Sequence, residues 1–212
     1  YRLRTPDGEK MATIMTSRGC PYSCSYCYKD MFGHKYRAHS PARIADEIVE
    51  LNVRYGYRNF YFIDDLFTFD AGRVVDFCEL LVRRRLDVGW QCLARVDRVD
   101  HDLLRMMKSA GCFQVHFGIE SGNQEMLRSI RKHTTLEQVR SAVAAAALAG
   151  IRTKGYFMLG LPGDTKATML ETIRFAEQLR LDETMFSVTT PLPGAELWKS
   201  VPEDHRIRLF ED

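Results

Sequence analysis

The strongest constraint on this chain is a rhythm. Six short apolar runs, at residues 12–16, 59–63, 88–94, 113–119, 151–159 and 184–190, read as strands. Between them lie stretches with helical spacing of apolar residues, at 41–55, 72–85, 100–110, 123–130, 135–149 and 165–180. The boundaries carry start and stop signals. Ser40 and Pro41 open the first helix and Gly56 closes it, while Ile44, Ile48 and Leu51 keep its apolar face. Val75, Cys78, Leu81 and Val82 are the predicted face of the second helix; the fifth is predicted to be N-capped near Thr134 and stopped at Gly150. Strands separated by helices pair in parallel, so the fold class is α/β with a parallel sheet.

Right-handed crossovers can wind such a sheet into a doubly wound layer or curl it into a barrel. The strand faces separate the two. A parallel sheet covered on both sides is apolar on both sides. Here Gln114, His116, Gly118 and Glu120 alternate with Val115, Phe117 and Ile119, and Gln91, Leu93 and Arg95 alternate with Trp90, Cys92 and Ala94. One face is therefore partly polar although it belongs inside. A (β/α)6 partial TIM barrel whose lumen takes a polar ligand accounts for this. Polar and glycine-rich segments also collect at the C-terminal strand ends, where parallel α/β folds bind ligands.

With 212 residues the chain suits a single domain over 1–212, its strands and helices lying at about 12–200. It opens at Tyr1 on a polar stretch with Pro6 and Gly8 and ends in a charged, irregular tail, so it reads as a piece excised from a longer parent. Net charge is +2 with the signs interspersed, and no basic block marks a nucleic-acid footprint. Arg83, Arg84 and Arg85 read as the solvated end of a helix. No run approaches ~18 apolar residues, and no signal peptide is present; the alanine-rich segment 142–149 reads as a packed helix.

Three of the six cysteines fall within eight residues; Cys78, Cys92 and Cys112 stand alone. One metal site plus three core residues in a reducing compartment fits this better than disulfides, which points to the cytoplasm. Cys20, Cys24 and Cys27 follow the first strand with CxxxCxxC spacing. Three thiolates on one loop can hold three corners of a [4Fe–4S] cubane, leaving the fourth iron open to a ligand. The alternatives are a zinc site completed by His34 or His39, and a chance cluster of core cysteines.

At these residues, and over roughly 13–198, the sequence resembles the radical S-adenosylmethionine (SAM) superfamily. The resemblance implies that Cys20, Cys24 and Cys27 hold a [4Fe–4S] cluster whose unique iron binds the SAM amino and carboxylate groups. Reductive SAM cleavage would then give methionine and a 5′-deoxyadenosyl radical that abstracts substrate hydrogen. It places Tyr26 near the adenine. It places Asp64 or Asp65 at the SAM ammonium, although the usual glycine pair before that acid is missing. Phe117-Gly118-Ile119-Glu120-Ser121-Gly122 resembles the ribose motif, with Glu120 and Ser121 as contacts. Gly155 to Asp164, including Gly160, resembles the segment packing on adenine, and Ser187 to Pro191, including Thr189, the sixth-strand backbone contact. Arg95 is a candidate for the SAM carboxylate or half of an ion pair with Asp97. Lumen positions Gln91, Gln114, His116 and Met158 are candidate substrate contacts, with core packing the alternative for His116 and the methionines.

The wording TSRGCPYSCSYC, FIDDLF and FGIESG is most like the branch whose members often carry an N-terminal cobalamin-binding domain. Such a domain would precede Tyr1 in the parent. The implied activity is radical chemistry on a small-molecule substrate, by methyl transfer or ring formation, fed by a reducing partner such as a flavodoxin or ferredoxin. RNA or peptide modification, and a non-catalytic iron–sulfur or zinc module, are the competing readings.

Overall fold

A computed structural model of the chain describes residues 3–5 and 7–202; Pro6 and the charged tail 203–212 lie outside the described residues. Six strands form one sheet: β1 (Met11–Ile14), β2 (Asn59–Phe62), β3 (Gly89–Ala94), β4 (Cys112–Glu120), β5 (Arg152–Leu159) and β6 (Glu183–Val188). Neighbours in space are neighbours in sequence, and every pair is parallel. A doubly wound sheet reverses its strand order partway, sending helices to both faces. This order never reverses, so one-handed crossovers keep the helices on one side and curl the other side inward. β1 and β6 do not pair with each other, so the barrel is partial.

The helices are α1 (Pro41–Tyr55), α2 (Ala71–Arg83), α3 (His101–Ser109), α4 (Gln124–Ser129), α5 (Leu136–Leu148) and α6 (Lys166–Gln178). Strand and helix ends fall within about two residues of the sequence reading, the scatter expected where ends fray. Ser40 and the left-handed Gly56 cap α1 as predicted. The cap of α5, expected near Thr134, is Thr135, whose hydroxyl and Gln138 form a reciprocal capping box. The buried face of α2 is also rotated from the prediction: Val74, Phe77, Cys78 and Leu81 are buried while Val82 is half exposed. Arg73 turns inward from the same helix, its guanidinium donating to the Thr16 and His39 carbonyls.

Outward strand residues Phe60, Phe62, Trp90, Val115, Phe117 and Phe157 are buried against the helices. Trp90 sits among Phe62, Phe67 and Phe77, and its indole N–H donates to the Ala110 carbonyl at 2.8 Å. Each such ring contributes roughly 1.5–3 kcal/mol by leaving water. Cys78, Cys92 and Cys112 belong to this core. All six cysteines are free thiols.

The sequence gives no sign of two short strands, Ser17–Arg18 and Arg37–Ala38, which pair antiparallel. Two residues are too few to show a period. They matter because they pinch off the loop that carries the cysteines. Among the described residues no helix is long and apolar enough to cross a membrane.

Candidate functional site

The loop after β1 is anchored before it reaches its first cysteine. Asp64 is 1% exposed and its carboxylate accepts from the Thr16 N–H, the Thr16 hydroxyl and the Ser17 hydroxyl at 2.5–2.7 Å. Arg73 donates to the same Thr16 hydroxyl at 2.6 Å. Gly19 then turns the chain at φ +84°; a Cβ there would lie 2.3 Å from the Lys35 carbonyl oxygen, so only glycine fits. Further on, the Ser25 N–H donates to the Ile130 carbonyl, Arg131 donates to the Ser23 carbonyl, and the Leu197 N–H donates to the Ser25 carbonyl. The cysteine loop is thus tied to β1, to the segment after α4 and to the segment after β6.

Cys20, Cys24 and Cys27 line a cavity of about 240 Å³ at the C-terminal strand ends. Tyr22, Tyr26, Lys29, Asp65, Arg95, Gly118, Glu120, Lys132 and Tyr156 complete the polar part of the wall. Burial pushes the Cys27 thiol up, and the neighbouring Lys29 ammonium works against that rise.

The same wall carries a three-residue network. Lys132 Nζ donates to Glu120 Oε1 at 2.8 Å and to the Tyr26 hydroxyl at 3.2 Å, and that hydroxyl donates to the same Glu120 oxygen at 2.9 Å. Burial, and then the Glu120 charge, hold the Tyr26 phenol well above its ordinary value, so it stays a donor. Glu120 has φ +71°, and the β4–β5 register shifts between Gly118 and Glu120. A non-glycine residue in this region carries backbone strain, which concentrates at functional sites. Gly118 makes room for the network: a Cβ there would lie 2.7 Å from Glu120 Oε1 and 3.0 Å from Lys132 Nζ.

The two candidate acids part company. Asp64 is consumed in the anchor, whereas Asp65 faces the cavity, its carboxyl raised by burial against a backbone hydrogen bond from Gly19. Arg95 lines the cavity, yet its guanidinium is taken. It donates from Nε and Nη2 to the two Asp97 carboxylate oxygens at 2.8 and 3.1 Å, gives Nη2 to the Lys132 carbonyl, and stacks 3.8 Å from the Tyr22 ring centre.

The other predicted contacts stand apart from the wall. The Ser121 hydroxyl bonds with that of Thr172 and accepts from the Asn123 N–H, building the turn into α4. The Gly160 N–H donates to Asp164. The Thr189 N–H donates to the Leu159 carbonyl, while its hydroxyl is buried without a partner among the described residues. Met158 packs with Tyr26 against Met126, Ile130 and Leu161. Gln91, Gln114 and His116 are buried in the lumen. His116 Nδ1 lies 3.3 Å from the Tyr61 hydroxyl and 3.1 Å from that of Tyr156, which is the one of this trio that reaches the cavity.

The sequence reading missed Lys132, Lys29 and Tyr156. Lys132 follows a short helix in an irregular segment with no periodicity. Tyr156, by contrast, shares the inward face of β5 with Met158, and strand alternation alone would have found it.

The thiols do not close around one point: among the described residues no three His, Cys, Asp or Glu side chains are grouped as a single ion requires. The soft donor set of three thiols on one loop fits iron–sulfur chemistry, in which each thiolate takes a different corner of the cluster.

Comparison with known proteins agrees with this geometry. Residues 14–176 match the radical SAM superfamily, and the chain belongs to that superfamily. It is 36% identical over 194 residues to an uncharacterised methyltransferase of Pyrococcus horikoshii, covering 91% of this chain and 42% of that protein. It is 31% identical over 208 residues to the anaerobic magnesium-protoporphyrin IX monomethyl ester cyclase of Rubrivivax gelatinosus, covering 97% of this chain and 38% of that protein. The chain therefore spans less than half the length of these curated relatives. Its fold superposes with a TM-score of 0.82 on the radical SAM methyltransferase TsrM of Kitasatospora setae, solved with cobalamin and a [4Fe–4S] cluster bound. That match is 23% identical and covers 88% of this chain and 38% of that one.

Proposed function

We propose that this chain is the catalytic core of a radical SAM enzyme that acts on a small molecule, by methyl transfer or ring formation. The observation that carries the reading is a cavity whose wall holds both the three thiols and the Tyr26–Glu120–Lys132 network. Cys20, Cys24 and Cys27 would hold a [4Fe–4S] cluster, and Asp65 would take the SAM ammonium. Glu120, locked by Lys132, would accept from ribose hydroxyls, as acids do at strand ends in nucleotide sites. When bound, cluster and SAM supply reductive cleavage to a 5′-deoxyadenosyl radical. The chain contributes orientation and the exclusion of water. Arg95 and Asp97 stiffen the wall, and Asp64 and Arg73 hold the entry to the cysteine loop.

The methyltransferase and cyclase names of the relatives support the reaction classes. Cobalamin in the parent is supported by the TsrM structure that holds it, and cobalt analysis of the full-length protein tests that part. The six free thiols support a reducing compartment such as the cytoplasm, and reductive SAM cleavage would call for an electron donor such as a flavodoxin or ferredoxin.

The test is anaerobic reconstitution. Cys20→Ala, Cys24→Ala and Cys27→Ala are each expected to abolish the cluster absorbance near ~400 nm, a property of thiolate-held iron–sulfur centres, and all 5′-deoxyadenosine formation. Cys78→Ser is expected to keep both. Full cluster content in any of the first three would refute the assignment, and absence of SAM binding by calorimetry would favour a non-catalytic module.

A further inference from the structure

Three basic side chains line the cavity, and two are committed. Arg95 is bound bidentately by Asp97, and Lys132 is paired with Glu120. Lys29 differs. Its Nζ is buried without a hydrogen-bond partner among the described residues, and it lines the wall with Cys24 and Cys27. An ammonium out of water with nothing to donate to is costly, and the cost is recovered when an anion binds. Of the two acids on the wall, Glu120 belongs to Lys132, while Asp65, which accepts from the Gly19 N–H, forms no ion pair among the described residues. The cavity therefore presents one uncommitted cation and one uncommitted anion, both beside the thiols. That arrangement complements an α-amino-acid zwitterion, whose ammonium and carboxylate have opposite charges a few bonds apart.

We infer that Lys29, and not Arg95, binds the carboxylate of the SAM methionyl group, with Asp65 receiving its ammonium. The inference rests on the proposed function and names a contact that function does not require. The placement has a consequence for the loop. Lys29, Cys24 and Cys27 also line a second cleft with Ser23, Asp30, His34 and Arg131, so the segment carrying Cys27 lies between the two. A carboxylate bound to Lys29 would hold that segment from the inside.

The experiment compares SAM with its decarboxylated analogue by anaerobic calorimetry on the reconstituted protein and on its Lys29→Met, Lys29→Arg and Arg95→Met variants. Lys29→Met is expected to weaken SAM about tenfold, the loss of one charge-assisted hydrogen bond. Binding of decarboxylated SAM should change less than about twofold, within the noise of a single weak contact. Lys29→Arg keeps the charge and should retain the preference for SAM. Arg95→Met should weaken both ligands alike. Equal weakening of both ligands in Lys29→Met, or a lost preference in Arg95→Met alone, overturns the inference. Both ligands are compared within each variant, so poorer cluster loading cannot imitate the expected result. A protein that takes up a cluster and binds SAM equally well with and without Lys29 sinks this inference alone. A wild type that binds neither cluster nor SAM sinks the proposed function instead.

Discussion

At the scale of single residues, the site turns on a buried ion pair. The Lys132 and Glu120 side chains are 7% and 10% exposed. Removing one partner of a buried pair leaves an uncompensated charge, which costs about 3–5 kcal/mol. Lys132→Met is therefore expected to lower the unfolding free energy by about that amount in a urea titration. Adding Glu120→Gln should recover a large part of it, because the double variant strands no charge. Equal losses in the single and double variants would show that the pair is not coupled. This residue-scale picture was only half legible in the sequence. Glu120 stood at the end of a recognisable strand in a recognisable motif. Lys132 had no such frame, since chain geometry brings it back across twelve residues of turn and short helix. Asp64 and Asp65 were left open, yet the alternation along β2 separates them: Phe60 and Phe62 face the helices, and Asp64 continues their side.

At the scale of elements, the end of β4 does most to shape the cavity. The register shift at Gly118 and the positive φ of Glu120 bend the strand so that its carboxylate meets both Tyr26 and Lys132. A bulge of this kind re-aims a side chain beside an active site. Gly118→Ala would press a methyl group against that network. The expected result is a modest stability loss of about 1–3 kcal/mol, the usual range for overpacking. SAM binding should weaken by about tenfold as Glu120 is displaced, equivalent to one good hydrogen bond. Thermal unfolding and calorimetry read the two effects separately; unchanged SAM affinity would mean that Glu120 does not touch the ligand. Bulges leave almost no trace in a sequence, because a glycine inside a strand has several readings. Helices were more legible. Their caps and apolar spacing are local, so α1 and α6 can be read from the chain alone. The face of α2 could not, since Arg73 is buried for the sake of Thr16, a residue 57 positions away.

At the scale of the whole molecule, the decisive feature is that the sheet keeps different chemistry on its two sides. The outer side is packed with aromatic and aliphatic groups against helices, and the inner side buries polar groups. This contrast was legible as alternation and correctly separated a barrel from a doubly wound sheet. What it did not reveal is how the inner groups satisfy one another. Gln114 donates to Glu183 at 2.9 Å, and that hydrogen bond together with Lys154 and Arg152 holds the Glu183 carboxyl below its ordinary value. His116 follows along the same strand face, with Tyr61 and Tyr156 at Nδ1 and with Nε2 buried without a partner among the described residues. Burial, aided by the Lys154 charge, lowers its pKa from 6.5 to about 4. The folded state therefore binds this proton less readily than the unfolded chain does. Stability from this source is complete above about pH 6.5, declines as the unfolded chain takes up the proton, and stops declining below about pH 4. A shift of this size corresponds to on the order of 3 kcal/mol at completion, and about 2 kcal/mol by pH 5, at 1.36 kcal/mol per pH unit. Urea midpoints at pH 7 and pH 5 for wild type and His116→Gln measure it. Carboxylates common to both proteins cancel in the difference. The wild type is expected to lose about 2 kcal/mol more than the variant between the two pH values, whereas equal losses would mean that His116 titrates alike in the folded and unfolded chain.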